Sequence, residues 1–270
     1  MIVKMSRVTF LLFDAYGTLV ELDNFYERLQ RSFAQNAAFE IPLDAMRRAA
    51  HREMRHYIKH SLRANRRDEC ELLRTECAQV LADALREENL QYDFSPAISY
   101  RVLDASIVFR AYQETRETLL QLLERGFSMG VLSNWDGRLP QVLRDLELDG
   151  FFDFVVSSAQ VGYEKPDARF FEFGLQKIRI SHPQIETENC IYIGDHWGKD
   201  VVPSRLMGMQ AIWVVRNQRD FTSGETATND ENVPQVSNLR DLIPLLDFST
   251  TDKSAQRAPD EHRFELRIQN

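Results

Sequence analysis

Cysteine is scarce in this chain. Only three cysteines occur among its 270 residues, at Cys70, Cys77 and Cys190, and none of them forms a CxxC pair. Such a set is typical of a reducing compartment and gives no disulfide framework. Cys70 and Cys77 lie seven residues apart on one side of a predicted helix, and we interpret the cysteines as buried apolar side chains. The sequence therefore predicts neither a structural zinc site nor a disulfide-stabilised fold.

Long apolar runs and an excess of basic residues are also missing. No stretch approaches the roughly 18 apolar residues that a membrane-spanning helix needs, and the first residues lead into a predicted strand without a cleavage site. Lys and Arg total 33 against 41 Asp and Glu, which gives a formal net charge of -8. That balance argues against general binding to nucleic acid or to anionic membranes. We expect a cytoplasmic protein that binds neither nucleic acid nor membrane.

Short apolar runs alternate with helix-like segments through most of the chain. The runs are RVTFLLF, FSMGVL, DFVVSS, CIYIG and AIWVV, in that order. Their alternation with helical patterns predicts an α/β fold with a doubly wound parallel sheet. Ligands bind such sheets outside the carboxyl ends of the strands. Polar residues that follow different strands are therefore expected at one edge of the sheet.

A long helical segment interrupts this alternation after the first strand. Residues 22–111 carry apolar side chains at spacings of three and four residues, and the segment is much longer than an ordinary crossover between strands. We predict a core domain formed by residues 5–21 and 112–248, with a separate helical domain inserted at 22–111. Residues 249–270 have too little apolar content to pack independently, and we predict a disordered tail there.

Four polar clusters follow predicted strands or the loops after them. They are Asp14–Thr18, Ser133–Asn134, Lys165 and Asp195–Asp200. Together they offer a carboxylate, a hydroxyl, an ammonium group and a second pair of acids. Gathering such groups in one place is costly unless they bind an anion or a metal or perform chemistry. The sequence therefore indicates one catalytic site.

The spelling and order of these clusters resemble the motifs of the haloacid dehalogenase-like (HAD) hydrolase superfamily, whose members are mostly phosphatases. The four motifs read FDAYGTL, LSN, EKPD and GDHWGKD in this chain, and the resemblance spans roughly residues 8 to 215. It implies a Rossmann-like core. It also implies that the inserted helical domain is a mobile cap that covers the site and selects the substrate.

The resemblance further implies a role for each motif residue. Asp14 would attack the phosphorus of a phosphoester and form an aspartyl-phosphate, and Lys165 would neutralise the transferring group. Hard oxygen ligands around one point predict Mg²⁺ beside a phosphate substrate. The predicted metal ligands are Asp14, the Tyr16 carbonyl, Asp195 and Asp200. The predicted substrate-binding groups are the Tyr16–Gly17 backbone, Thr18, Ser133 and the Asn134 amide.

Tyr16 departs from the pattern of the family's phosphatases. Most of them carry a second Asp two positions after the nucleophile, as the general acid and base. Tyrosine, with a reference pKa of about 10, is a poor base at neutral pH, so the loss could cost on the order of 10² to 10⁴ in rate. The spelling DAYGT is similar to the 2-haloacid dehalogenase branch, which works without a metal. That branch replaces the acidic pair of the last motif, whereas this chain retains Asp195 and Asp200.

The leading prediction is therefore a magnesium-dependent phosphatase that acts on small phosphorylated metabolites. A 2-haloacid dehalogenase-type hydrolase and a catalytically weak binding or regulatory relative are the alternatives. The basic segment from Arg47 to Arg67 has two interpretations as well. It either attracts an anionic substrate or forms a solvated helix face that is paired with neighbouring acids.

Overall fold

The structure is a computed structural model that describes residues 10–37, 40–88, 95–216 and 232–246. The chain divides into two compact units. The core unit takes its described residues from Met1–Glu21, Ala111–Asn134 and Leu139–Asn270, and the helical unit takes them from Leu22–Arg110 and Trp135–Arg138. The tail predicted at 249–270 lies outside the described residues.

A parallel sheet forms the centre of the core unit. The strands of the described residues are β1 Phe10–Phe13, β2 Val20–Leu22, β3 Phe109–Ala111, β4 Ser128–Ser133, β5 Phe154–Ser157, β6 Cys190–Gly194, β7 Gln210–Val214 and β8 Gln235–Val236. Six of them form one sheet in the order β5-β4-β1-β6-β7-β8, and β2 pairs with β3 separately. All pairings in the larger sheet are parallel. The predicted α/β fold with a doubly wound parallel sheet is confirmed.

Helices flank the strands and also make up most of the helical unit. They are α1 Phe25–Ala37, α2 Leu43–His60, α3 Arg67–Glu87, α4 Pro96–Ser106, α5 Thr115–Glu124, α6 Leu139–Asp145, α7 Ser158–Val161, α8 Ala168–Ser181, α9 Val202–Leu206 and α10 Leu242–Leu245. The helices α1 to α4 belong to the helical unit. Within the described ranges, none of these helices is long and apolar enough to cross a membrane.

Apolar packing holds the central strands in place. Every residue of β1 is fully buried, as is usual for a parallel strand covered on both faces. Leu12 of β1 and Tyr192 of β6 are paired in register and pack in one cluster with Phe170 and Phe171 of α8. Each such side chain contributes about 1.5 to 3 kcal/mol when it is buried. The ends of β1 and β6, where polar residues follow, are thereby held at defined positions.

A short segment that follows β4 belongs to the helical unit. Asp136 is fully buried there, and its carboxylate accepts hydrogen bonds from Tyr57 Oη at 3.2 Å and from the Arg138 guanidinium. The Gly137 N–H donates to Ala64 O at 2.8 Å. A Cβ atom at Gly137 would lie 1.8 Å from Asn65 O, so this close approach requires glycine. The predicted boundaries placed all of residues 112–248 in the core domain, whereas Trp135–Arg138 belong to the helical unit.

Candidate active site

The polar clusters of the sequence meet at the carboxyl edge of the sheet. Asp14 directly follows β1, Asp195 directly follows β6, and Ser133 is the last residue of β4. The Asp14 N–H continues the ladder by donating to Ile193 O at 2.9 Å. Because β4, β1 and β6 are adjacent and parallel, the residues at their ends are neighbours.

Lys165 lies at the centre of the site. Its Nζ donates to Asp14 Oδ1 at 2.6 Å, to Asp200 Oδ1 at 2.6 Å and to Tyr192 Oη at 2.9 Å. The side chain is only 3% exposed. Burial alone would lower the pKa of the ammonium group, but Asp14 and Asp200 outweigh it and hold the pKa well above its usual range. Lys165 is therefore a permanent positive charge that uses all three of its donors.

Three carboxylates converge beside this ammonium group. Oxygen atoms of Asp14, Asp195 and Asp200 lie within 4.8 Å of one another, and all three residues are buried. Burial raises the pKa of Asp200 to about 6, although Lys165 opposes the shift. Three acids against a single ammonium leave negative charge unbalanced when all are ionised. The set has the charge and the hard oxygen atoms that fit a divalent cation such as Mg²⁺.

Hydrogen bonds hold the two acidic residues of the last motif, one at the side chain of Asp200 and one at the backbone of Asp195. Asp200 lies in a π-helical turn, Trp197–Val201, rather than at the beginning of a regular helix as the sequence predicted. Its Oδ2 accepts the His196 N–H at 2.9 Å. The carbonyl of Asp195 accepts from Trp213 Nε1 at 2.9 Å. Single-turn π-helices occur often at functional sites, and this one directs the Asp200 carboxylate toward Lys165.

The turn after Asp14 is built around Gly17. This residue has a φ of +79°, and a Cβ atom added to it would lie 2.5 Å from Asp195 Oδ2. Glycine is needed at this position both for the backbone conformation and for the approach of the Asp195 carboxylate. The Gly17 N–H donates to Val20 O at 2.9 Å inside the turn. This hydrogen bond occupies the Gly17 N–H inside the turn, and its contact with a substrate oxygen stays a prediction.

Tyr16 and Thr18 lie in the same turn. Tyr16 is half-buried and forms an isolated bridge with Val20. Thr18 is fully buried, and its Oγ1 has no hydrogen-bond partner among the described residues. Burying a hydroxyl without a partner is unfavourable unless another molecule supplies one. The position of Thr18 is compatible with its predicted contact to a substrate oxygen.

Asn134 of the second motif binds the backbone of Lys165 through two hydrogen bonds. The Asn134 side chain accepts the Lys165 N–H on Oδ1 at 2.7 Å and donates from Nδ2 to Lys165 O at 2.9 Å. Both groups of the carboxamide are thus used on the backbone of the lysine. The structure gives the Asn134 side chain a positioning role, and the contact of the Asn134 amide with a substrate stays a prediction. Ser133 is 1% exposed at the end of β4.

The basic segment from Arg47 to Arg67 forms ion pairs with acidic side chains of the helical unit. Five of its arginines form ion pairs with glutamates of the same unit: Arg48 with Glu88, Arg52 with Glu87, Arg63 with Glu76, Arg66 with Glu69 and Arg67 with Glu71. These pairs are solvent-exposed, so each adds little to stability, but they neutralise the local positive charge. The pairing supports the second interpretation of this segment, a solvated helix face.

Comparison with protein families agrees with this geometry. The family model for haloacid dehalogenase-like hydrolases matches residues 8–203 of the chain. The chain belongs to this family. The matched range includes all four polar clusters, and the resemblance inferred from the motifs is confirmed.

Curated relatives of this hydrolase include proteins with a stated activity. The chain is 30% identical over 164 residues to human haloacid dehalogenase-like hydrolase domain-containing protein 3, covering 60% of each chain. It is 28% identical over 153 residues to the glyceraldehyde 3-phosphate phosphatase of Methanocaldococcus jannaschii, covering 55% of this chain and 63% of that one. The matches therefore span about three fifths of the curated relatives.

Solved structures share the fold over nearly the whole chain. The magnesium-bound HAD hydrolase YfnB from Bacillus subtilis superposes with a TM-score of 0.63 at 18% identity, covering 90% of this chain and 100% of that one. A dehalogenase solved with an intermediate complex gives a TM-score of 0.61 at 21% identity, covering 89% of this chain and 97% of that one. At such identities the similarity establishes the HAD hydrolase fold.

Two residues of this HAD hydrolase site were missed in the sequence. Tyr192 lies within β6, where its hydroxyl donates to Leu132 O at 2.6 Å and accepts from Lys165. Burial raises the pKa of this phenol well above its usual range, so the hydroxyl stays protonated. A tyrosine inside an apolar strand gives no signal of such a role. The other residue, Arg216, follows the apolar strand β7, so the rule that identified the four polar clusters applies to it as well.

Proposed function

We propose that the protein is a magnesium-dependent phosphatase in which Asp14 is the nucleophile and small phosphorylated metabolites are the substrates. One observation carries this proposal. The carboxylates of Asp14, Asp195 and Asp200 converge within 4.8 Å, and Lys165 contacts two of them. Such a site attracts a divalent cation and, with it, a phosphate group. The likeness to a glyceraldehyde 3-phosphate phosphatase supports the choice of substrate class.

The residues that would hold the metal are Asp14, Asp195, the Tyr16 carbonyl and Asp200. All four offer the oxygen ligands that Mg²⁺ prefers. When it is bound, the ion polarises a phosphoryl oxygen and offsets the repulsion between the carboxylates and the phosphate. Because Gly17 has no side chain, the Asp195 carboxylate can approach the turn that carries the Tyr16 carbonyl.

In the first chemical step a carboxylate oxygen of Asp14 attacks the phosphorus atom. The new bond joins Asp14 to phosphorus while the bond from phosphorus to the leaving oxygen breaks, and the leaving oxygen takes the electron pair. Lys165, whose Nζ lies 2.6 Å from Asp14 Oδ1, orients this carboxylate and balances the negative charge of the phosphoryl group. The hydroxyls of Thr18 and Ser133 donate to the phosphoryl oxygens. Water then hydrolyses the aspartyl-phosphate, which releases phosphate and restores Asp14.

The identity of residue 16 predicts a preference among substrates. A tyrosine in place of a carboxylate protonates the leaving oxygen inefficiently, so donors whose leaving group needs no proton should react faster. We expect aryl and acyl phosphates to be hydrolysed about 10²-fold faster than alkyl phosphates. The substitution Tyr16→Asp should raise the rate on an alkyl phosphate and narrow this ratio. The measurement is kcat/KM for an aryl and an alkyl ester on both proteins, and equal rates on the wild type would contradict the assignment.

A dehalogenase reaction is the second candidate. Tyr16 favours it, since a leaving halide needs no proton, and a dehalogenase is among the structures that share the fold. In that reaction Asp14 would displace halide from carbon without a metal. The acids at positions 195 and 200 oppose it, because two carboxylates beside Asp14 would repel a carboxylate substrate unless a cation were bound.

A parallel assay decides between these reactions. Phosphate release is measured with Mg²⁺ and with EDTA on p-nitrophenyl phosphate and on a panel of small metabolite phosphates, and halide release is measured with EDTA on 2-haloacids. We expect Mg²⁺-dependent phosphate release and no halide. Halide release alone would replace the proposal with the dehalogenase reaction. Absence of both activities would indicate a binding or regulatory protein.

A further inference from the structure

We propose that Arg216 is a positioning residue that holds the turn carrying Asp14 in its reactive geometry. Arg216 lies outside the four polar clusters, and its guanidinium binds the backbone of the turn that follows Asp14. The inference rests on the proposed role of Asp14 as the nucleophile. The proposed role requires that the guanidinium group of Arg216 stay fixed against the carbonyl groups of the turn.

Arg216 binds two consecutive carbonyl groups of the turn. Its Nε donates to Gly17 O at 3.2 Å, and its Nη2 donates to Thr18 O at 2.8 Å. The planar guanidinium presents these donors in a rigid fork, so it fixes the direction of both carbonyl groups together. Its side chain is 11% exposed, so water competes little for these hydrogen bonds.

The guanidinium is itself held by Glu114 and Tyr112. Glu114 Oε1 accepts from Arg216 Nη1 at 2.8 Å, and the Cζ atom of Arg216 lies 3.4 Å from the centre of the Tyr112 ring. Burial alone would raise the pKa of Glu114, but its hydrogen bond with Arg216 outweighs this and keeps the pKa below its usual range. Glu114 therefore stays ionised and paired. A guanidinium fixed by a carboxylate and an aromatic ring is pre-organised for the turn.

The same segment also holds the far end of the turn. The Tyr112 N–H donates to Leu19 O at 3.1 Å, and Thr115 Oγ1 donates to the same oxygen at 2.9 Å. Residues 112–115 thus contact the chain that follows Asp14 both directly and through Arg216. A nucleophile must be held within about 0.5 Å of its productive position, and a shift of about 1 Å can cost 10²-fold in rate. Loss of Arg216 is expected to loosen this alignment, whereas Ser133 and Lys165, which lie outside the turn, keep their positions.

The test compares Arg216→Met and Arg216→Lys with the wild type. With p-nitrophenyl phosphate and Mg²⁺ we expect Arg216→Met to lower kcat by about 10- to 100-fold with KM unchanged within about threefold. Arg216→Lys should restore part of kcat, since an ammonium group can reach one carbonyl but does not reproduce the fork. The control is Arg179→Met, which removes an exposed arginine paired with Glu172 in the same unit. It should leave kcat unchanged.

Hydrogen exchange gives a readout that does not depend on activity. In Arg216→Met the amides of residues 14–22 should exchange about 10-fold faster, while those of β4 and β5 keep their wild-type rates. A rise in KM alone, or faster exchange spread evenly over the core unit, would overturn the positioning role. Should Arg216→Met fail to fold, Glu114→Gln weakens the same contact with less disturbance and is judged by the same criteria. If the wild type releases no phosphate but Arg216→Met still shows faster exchange confined to residues 14–22, the positioning role of Arg216 is supported and the proposed phosphatase function is refuted.

Discussion

Replacement of Asp14 by asparagine is expected to reduce phosphate release by about 10⁴-fold or more, the range found when a nucleophile is removed. Asparagine keeps the shape of the side chain and an acceptor oxygen for Lys165 Nζ, which lies 2.6 Å from Asp14 Oδ1. It lacks the negative charge and the nucleophilic oxygen. The loss should therefore be in chemistry rather than in folding. The measurement is kcat/KM with Mg²⁺, together with the thermal unfolding midpoint.

Trapping the intermediate makes this test specific for the nucleophile. The wild type, quenched in acid during turnover, should carry one phosphoryl group on the peptide that contains Asp14, and Asp14→Asn should carry none. Asp145→Asn is the matched control, since Asp145 is an exposed carboxylate of the same unit. It should retain full activity. A phosphoryl group on another residue, or normal turnover by Asp14→Asn, would show that Asp14 is not the nucleophile.

Replacement of Lys165 by methionine should cost both activity and stability. The ammonium group contacts Asp14 and Asp200, and these acids are 9% and 1% exposed, so its removal leaves two buried carboxylates without their cation. Removal of one partner from a buried ion pair typically costs about 3 to 5 kcal/mol of unfolding free energy. We expect a loss of this size in urea unfolding without metal. Phosphate release should fall by about 10³-fold, since the phosphoryl group also loses a fixed positive charge.

Magnesium should partly reverse the loss of stability in Lys165→Met. A divalent cation among the same carboxylates supplies the positive charge that the lysine provided, and any ligand that binds only the folded state stabilises it. Lys177→Met is the control because Lys177 is an exposed lysine of α8. Equal unfolding free energies for the two variants would contradict the central place of Lys165. If Mg²⁺ stabilised Asp195→Asn against unfolding as much as it stabilises Lys165→Met, the proposed metal ligands would be contradicted.

Local patterns in the sequence were enough to predict the architecture. Apolar runs such as CIYIG became the buried strand β6, and the residues after such runs lie at one edge of the sheet. Strand formation and burial depend on side chains a few residues apart, so they can be inferred from the sequence alone. The family motifs then identified Asp14, Lys165 and the acids of the last motif as candidates. Arg216 satisfies the same rule, a polar residue after an apolar run, but it lies outside the four family motifs.

The contacts that make the site chemically specific depend on tertiary structure. Lys165 binds Asp14 across 151 positions of the chain, and Arg216 binds Gly17 across 199. Contacts over such distances are set by crossover geometry and side-chain conformation, which leave no periodic pattern. The sequence by itself determined the parallel sheet, the family and the edge of the sheet at which the polar clusters lie. Only the folded chain decided that Lys165 joins two acids, that the Gly17 N–H is used within its turn and that Asn134 fixes the lysine, because each depends on where distant groups meet.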